Sequence, residues 1–71
     1  MDIKEIRQEL IDCDSYVVVK GKWYFNQYSM QCEDSYFFGE DCCNDDFSSV
    51  EEALANVLDY ADNDLANVKL Y

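Results

Sequence analysis

From Trp23 to Val68 the chain contains no lysine, arginine or histidine, yet it carries eleven carboxylates. These are Glu33, Asp34, Glu40, Asp41, Asp45, Asp46, Glu51, Glu52, Asp59, Asp62 and Asp64. The remaining residues hold five acids and five bases, so the formal net charge of −11 lies entirely in this stretch. Charge of one sign repels itself and opposes the compact state. A fold built from such a segment must keep its carboxylates in water and find its core in the apolar residues between them. Those residues are abundant, at 49% hydrophobic and 15% aromatic. Acidic disordered tails are poor in both. The composition therefore predicts a folded domain.

At 71 residues the chain predicts one small domain spanning 1–71. A chain of this size buries only about 60% of its unfolded surface, so its packing must be good. With two glycines and no proline, it has no linker-like segment and no internal repeat. The residues after Met1 lack the basic start and apolar run of a secretory leader. The longest unbroken apolar run, residues 16–19, is far short of the ~20 residues that span a bilayer. The expectation is a cytoplasmic protein with no membrane contact. In that compartment Cys13, Cys32, Cys42 and Cys43 are expected as reduced thiols.

Asp2 with Glu5 three residues later forms a capping-box signature. Ile3, Ile6 and Leu10 follow at helical spacing, which predicts a helix over 3–12. Residues 15–20 are aromatic and β-branched and predict a strand. Gly21 between two lysines predicts a tight hairpin, followed by a second strand over 22–30. A two-residue turn there places Tyr16, Val18, Trp23 and Phe25 on one face, and Val17, Val19, Tyr24, Asn26 and Tyr28 on the other. Ser35 to Phe38 fits a third strand closed by Gly39. Residues 40–47 read as an acidic loop. Ser48 or Ser49 then caps a second helix whose stripe is Val50, Ala53, Leu54, Val57, Leu58 and Ala61. Residues 65–71 suit either a helical turn or a strand. The expected fold class is α+β, a three-stranded antiparallel sheet flanked by helices in the order α-β-β-β-α. Both helices lie on one sheet face, and the other face is partly open and rich in tyrosine.

Several chemistries are excluded. Without histidine there is no Ser–His or Cys–His nucleophile pair. No Gly-rich phosphate loop is present, and so short a chain has little room for a substrate cavity of about 300 Å³ or more. The expectation is that the chain is not an enzyme. The cysteine separations of 19, 10 and 1 match no zinc pattern. Asp41, Asn44, Asp45 and Asp46 lack the central glycine and closing glutamate of a calcium loop. No cofactor or metal is expected. Direct nucleic-acid binding needs cations against phosphate, and the acidic stretch has none.

The acids instead suit a basic partner. Carboxylates at i+3 and i+4 on a helix sit about 5–6 Å apart, and alternate strand residues about 6.6 Å apart. Phosphates along one DNA strand repeat on a similar scale, about one per 3.4 Å of axis. The expected partner-binding residues are Glu33, Asp34, Glu40, Asp41, Asp45, Asp46, Glu51, Glu52 and Asp59, with Tyr24 and Tyr28 beside them.

The hairpin Val17-Val18-Val19-Lys20-Gly21-Lys22-Trp23, the acidic loop Glu40 to Asp46 and the α-β-β-β-α order together resemble the small acidic phage-borne anti-CRISPR proteins that inhibit type II RNA-guided nucleases. The resemblance covers element order and charge and rests on no sequence motif. It implies a DNA mimic working in a bacterial cytoplasm, which occupies the nuclease site for the protospacer-adjacent duplex and meets its arginines with carboxylates. An acidic protein–protein module, such as an antitoxin or an adaptor for a basic enzyme, is the alternative. A metal-sensing or thiol protein is a third.

Overall fold

The first helix forms where its spacing places it. In the computed structural model, which describes residues 1–39 and 45–71, α1 (Ile3–Asp12) buries Ile6 and Leu10. Asp2 accepts a hydrogen bond from the Glu5 N–H at 2.8 Å, and the Glu5 carboxylate accepts one from the Asp2 N–H at 3.2 Å. Both donors lie in the first turn, where a helix cannot satisfy them itself. Cys13, with φ 59°, ends the helix in the left-handed region.

Three consecutive strands follow: β1 (Val17–Val19), β2 (Trp23–Asn26) and β3 (Ser29–Cys32). A short α2 (Glu33–Phe38) follows β3 directly. Then come β4 (Asp45–Asp46), α3 (Val50–Tyr60), a 3-10 turn over Leu65–Asn67 and β5 (Val68–Leu70). The strands form one antiparallel sheet in the order β4-β3-β2-β1-β5. The fold is α+β as expected, but the described residues form a sheet of five strands where three were expected.

Three differences from the sequence reading have physical causes. First, residues 22–30 are two strands. Asn26 pairs with Ser29, and the chain reverses through Gln27 and Tyr28 with Gln27 at φ +53°. A tight hairpin favours Asn or Gly at such a position, and neither residue here announces a turn. Second, Ser35 to Phe38 lies in α2, not in a strand. The aromatic run suits a strand locally. However, Glu33 and Asp34 favour the positive end of a helix, and Gly39 at φ +69° closes it by donating its N–H to the Ser35 carbonyl at 3.0 Å. Third, the first hairpin pairs Val19 with Trp23, leaving three residues between the strands. Lys20 and Gly21 both have positive φ, and the Lys22 N–H donates to the Val19 carbonyl at 3.0 Å. The odd count reverses the expected parity. Val17, Val19, Trp23 and Phe25 share one face, and Tyr16, Val18 and Tyr24 share the other.

The valine–Trp–Phe face is covered by α1 and α3. Ile6, Leu10, Val17, Val19, Phe25, Met30, Val50, Ala53, Val57, Ala61 and Val68 form the core cluster. Ser49 caps α3 by accepting from the Glu52 N–H at 3.1 Å, and the Glu52 carboxylate accepts from the Ser48 N–H at 3.0 Å. The buried stripe of α3 is Val50, Ala53 and Val57, continued by Ala61. Leu54 and Leu58, expected inside, are only half-buried. Tyr60 packs edge-on against Trp23 and Phe25 at 5.1 and 5.8 Å.

These positions set a stability contrast. Phe25 is fully buried, and Phe25→Ala should cost about 3–5 kcal/mol through lost transfer and a cavity. Leu54→Ala at the rim should cost less, about 1–2 kcal/mol. Urea denaturation of both variants measures the difference, and equal losses would contradict the placement of the core.

Candidate partner-binding surface

The carboxylates reach the surface from elements on both sides of the sheet. Glu33 and Asp34 occupy the first turn of α2. That helix lies on the tyrosine face, because Tyr36 stacks on Tyr24 at 4.4 Å with the ring planes 8° apart. Glu51, Glu52 and Asp59 lie exposed on α3, across the sheet. Asp45 and Asp46 make up β4, the edge strand between these two sides, and both are exposed. Glu40 and Asp41 lie outside the described residues. The acids thus lie on both sides of the sheet and on its β4 edge rather than forming one plane. From Ser29, opposite Asp46, along β3 to Glu33 at the start of α2 is about 13 Å at about 3.3 Å per residue. That is about four phosphate steps along a DNA strand.

Register organises the β4 edge. Asn26 lies opposite Ser29, and Ser29 opposite Asp46, so three polar residues form a row across β2, β3 and β4. Tyr28 reaches this edge too, with the Phe47 N–H donating to its carbonyl at 2.6 Å. An open cleft of about 350 Å³ is lined by Asn26, Tyr28, Ser29, Asp46 and Phe47, together with Cys13. A neighbouring cleft of about 300 Å³ is lined by Met30, Gln31, Asp45 and Asp46, with Ser29 shared. Three residues singled out from sequence, Tyr28, Asp45 and Asp46, therefore meet at one edge.

The acids differ in what already holds them. Arg7 of α1 donates to Glu51 from Nε at 3.0 Å and from its terminal nitrogen at 2.5 Å. These hydrogen bonds and the Arg7 charge hold the Glu51 carboxyl below its ordinary pKa. Glu52 is also held low, by hydrogen bonds from the Ser48 side chain and backbone. Asp62 pairs with Lys20 at 2.5 Å, and Asp64 accepts from the Ala66 N–H at 3.0 Å, capping the 3-10 turn. Glu33, Asp34, Asp45, Asp46 and Asp59 take part in neither of the two ion pairs among the described residues. Glu51 and Glu52 thus serve the fold as well as the surface.

The second sheet face is not open, as the sequence reading expected. Tyr24 is 5% exposed and sits beneath α2, so its ring anchors that helix instead of facing solvent. Tyr16 meets Tyr36 edge-on at 4.8 Å, and Tyr71 meets Tyr24 at 5.9 Å and Tyr36 at 5.7 Å. Burial raises the pKa of Tyr24 and Tyr36. For Tyr24 the Glu33 charge adds to the effect, and for Tyr36 the neighbouring phenols do. Both hydroxyls stay protonated at neutral pH. The rim of this cluster is exposed: Phe37 at 50%, Tyr71 at 63% and Phe38 at 73%. Sequence reasoning did not select these three as contacts. The available signal was three consecutive aromatics, Tyr36 to Phe38, which cannot all lie on one helix face.

Among the described residues no group of three His, Cys, Asp or Glu side chains is placed to hold a metal ion. Cys13 is exposed and unbridged, and Cys32 is buried. Cys42 and Cys43 lie outside the described residues. Nor is any described helix long and apolar enough to cross a membrane. Comparison with protein-family models, curated protein sequences and solved structures gave no match.

The Arg7–Glu51 contact makes a titration prediction. A carboxyl whose folded pKa is depressed stabilises the fold above its unfolded pKa, and this contribution disappears as pH falls through the folded value. In Arg7→Gln the Glu51 carboxyl should titrate at higher pH than in the parent, as followed by carboxyl-resolved NMR. An unchanged Glu51 titration would contradict the ion pair.

Proposed function

We propose that the protein is an inhibitor that occupies the basic nucleic-acid site of a DNA- or RNA-processing enzyme, with its carboxylates standing in for phosphates. The observation that carries this reading is the β4 edge. Asp45 and Asp46 are exposed there, in neither of the ion pairs of the described residues, and line two clefts, one of which Asp46 shares with Tyr28. Glu33 and Asp34 add charge beyond the far end of β3, in the first turn of α2, about four phosphate steps from the level of Asp46. An RNA-guided nuclease fits as partner, because its duplex-reading arginines form forked hydrogen bonds with carboxylates as readily as with phosphates or guanine edges. A blunted, charged edge strand also prevents sheet-to-sheet aggregation, and two aspartates would suffice for that. The continuation of charge onto α2 and α3 is what a duplex-shaped site requires in addition.

The second reading, an acidic adaptor, draws on the exposed Phe37, Phe38 and Tyr71. Exposed aromatics are enriched where proteins meet proteins. The two readings differ in which substitutions matter.

The test is capture of bacterial lysate proteins on the immobilised protein at low salt, followed by elution. Retained proteins should be nucleic-acid-binding enzymes and should elute with added DNA duplex or with rising salt, since exposed charges are screened beyond about 8–10 Å. The variant D45N/D46N keeps shape and removes charge. It should weaken binding by about 1–3 kcal/mol for each desolvated contact, and far less where a contact stays at the rim. Glu9→Gln on α1 should change little. Retention indifferent to D45N/D46N, and to added duplex, would overturn the mimic in favour of the adaptor.

A further inference from the structure

The α2 rim presents exposed aromatic rings on the same short helix as two carboxylates that join neither ion pair of the described residues. Phe37 meets Tyr24 at 5.7 Å, Tyr36 at 4.9 Å and Tyr71 at 6.3 Å, all edge-on, so the helix and the chain after β5 form one aromatic surface. Tyr71 is an exposed ring of this surface, and Phe38, which follows Phe37 at the end of α2, is exposed further still. Glu33 and Asp34 open the same six-residue helix, and Glu33 is close enough to Tyr24 for its charge to act on the phenol. Lys69, two residues before Tyr71 on β5, borders the patch on its other side.

The occupant of this patch can be argued from charge. A second copy of the chain would bring a net charge of −11 against another −11, and such charges repel. Anionic lipid surfaces are disfavoured for the same reason. A basic protein segment is attracted. Between the two basic side chains, arginine suits this patch better. Its planar guanidinium stacks on aromatic faces and forks to a carboxylate, whereas lysine offers a strongly hydrated point charge.

We infer that the α2 rim, with Phe38 and Tyr71 as stacking faces and Glu33 and Asp34 as carboxylate partners, is a docking site for an arginine-bearing segment of the partner protein. The inference rests on the partner being basic, as proposed above, and it adds a second contact surface away from the β4 edge. Binding there holds the inhibitor in place through side-chain stacking, which salt screens less than the carboxylate contacts at the edge.

A short peptide of alternating glycine and arginine tests this at physiological ionic strength, against the same peptide with lysine or with citrulline. Citrulline keeps the shape of arginine and removes its charge. Amide NMR titration of the protein should show the largest shifts at Phe37, Phe38, Tyr71, Glu33 and Asp34. The arginine peptide should bind about threefold or more tighter than the lysine peptide, in line with a single exposed stacking contact. The citrulline peptide should not bind. Phe38→Ser should abolish the arginine preference while leaving the fold intact, because Phe38 lies outside the core. Tyr71→Ser should have the same effect, and Lys69→Gln should tighten binding. Equal affinity for the arginine and lysine peptides would overturn the inference. So would shifts centred on Asp45 and Asp46, or a preference that survives both Phe38→Ser and Tyr71→Ser. In each of those cases the phosphate-mimic reading still stands, because its own test depends on D45N/D46N and on competition by duplex.

Discussion

The pairing of Val19 with Trp23 across the first hairpin decides what every other element can do. With three residues between the strands, Val17, Val19, Trp23 and Phe25 point to one side and Tyr16, Val18 and Tyr24 to the other. A one-residue slip would exchange these sets completely. α1 and α3 bury the first set, and α2 covers the second by placing Tyr36 on Tyr24. The same register carries through β3 to β4, bringing Asp46 into line with Ser29 and Asn26. The acidic edge and the aromatic rim are therefore two outcomes of one strand register.

The surplus of carboxylates is accommodated by position more than by counter-charge. Glu5 lies in the first turn of α1, Glu33 and Asp34 in that of α2, and Glu51 and Glu52 in that of α3. The exposed N–H groups and the helix dipole favour negative charge at all three places. Arg7 and Lys20 take up Glu51 and Asp62 in exposed pairs, which stabilise the fold little because solvent screens them. Lys22 lies 5.0 Å from the centre of the Trp23 ring instead of against an acid. The acids at the β4 edge have neither a helix end nor a described cation to relieve them. A basic partner would relieve them, and this links the fold's electrostatics to the proposed function.

Both long helices could be read from the sequence because amphipathic spacing and capping residues pointed the same way at residues 3–12 and 49–61. The hairpin at Gly21 was legible in place but not in length, since lysines on both sides of the glycine suit two- and three-residue connections alike. The Gln27-Tyr28 reversal had no turn-forming residue to mark it. Residues 33–38 carried conflicting signals, with aromatic strand propensity against an acidic first turn and a closing glycine, and packing on Tyr24 favoured the helix. The C-terminal segment holds both alternatives in turn, a 3-10 turn over Leu65–Asn67 and then a strand over Val68–Leu70 paired with β1. Charge alone marked Asp45 and Asp46. Their convergence with Tyr28 depended on a hairpin that the sequence hid. The exposure of Phe37, Phe38 and Tyr71 depended on α2, which local propensity disfavoured.

The central claim is that this protein and a nucleic acid use the same site on one partner. Its most direct measurement is a titration of the protein into a preformed complex of that partner with fluorescently labelled duplex, followed by anisotropy. Mimicry predicts complete displacement of the duplex, with a midpoint that rises in proportion to duplex concentration. A stable ternary complex, with the duplex retained at saturating protein, would contradict it.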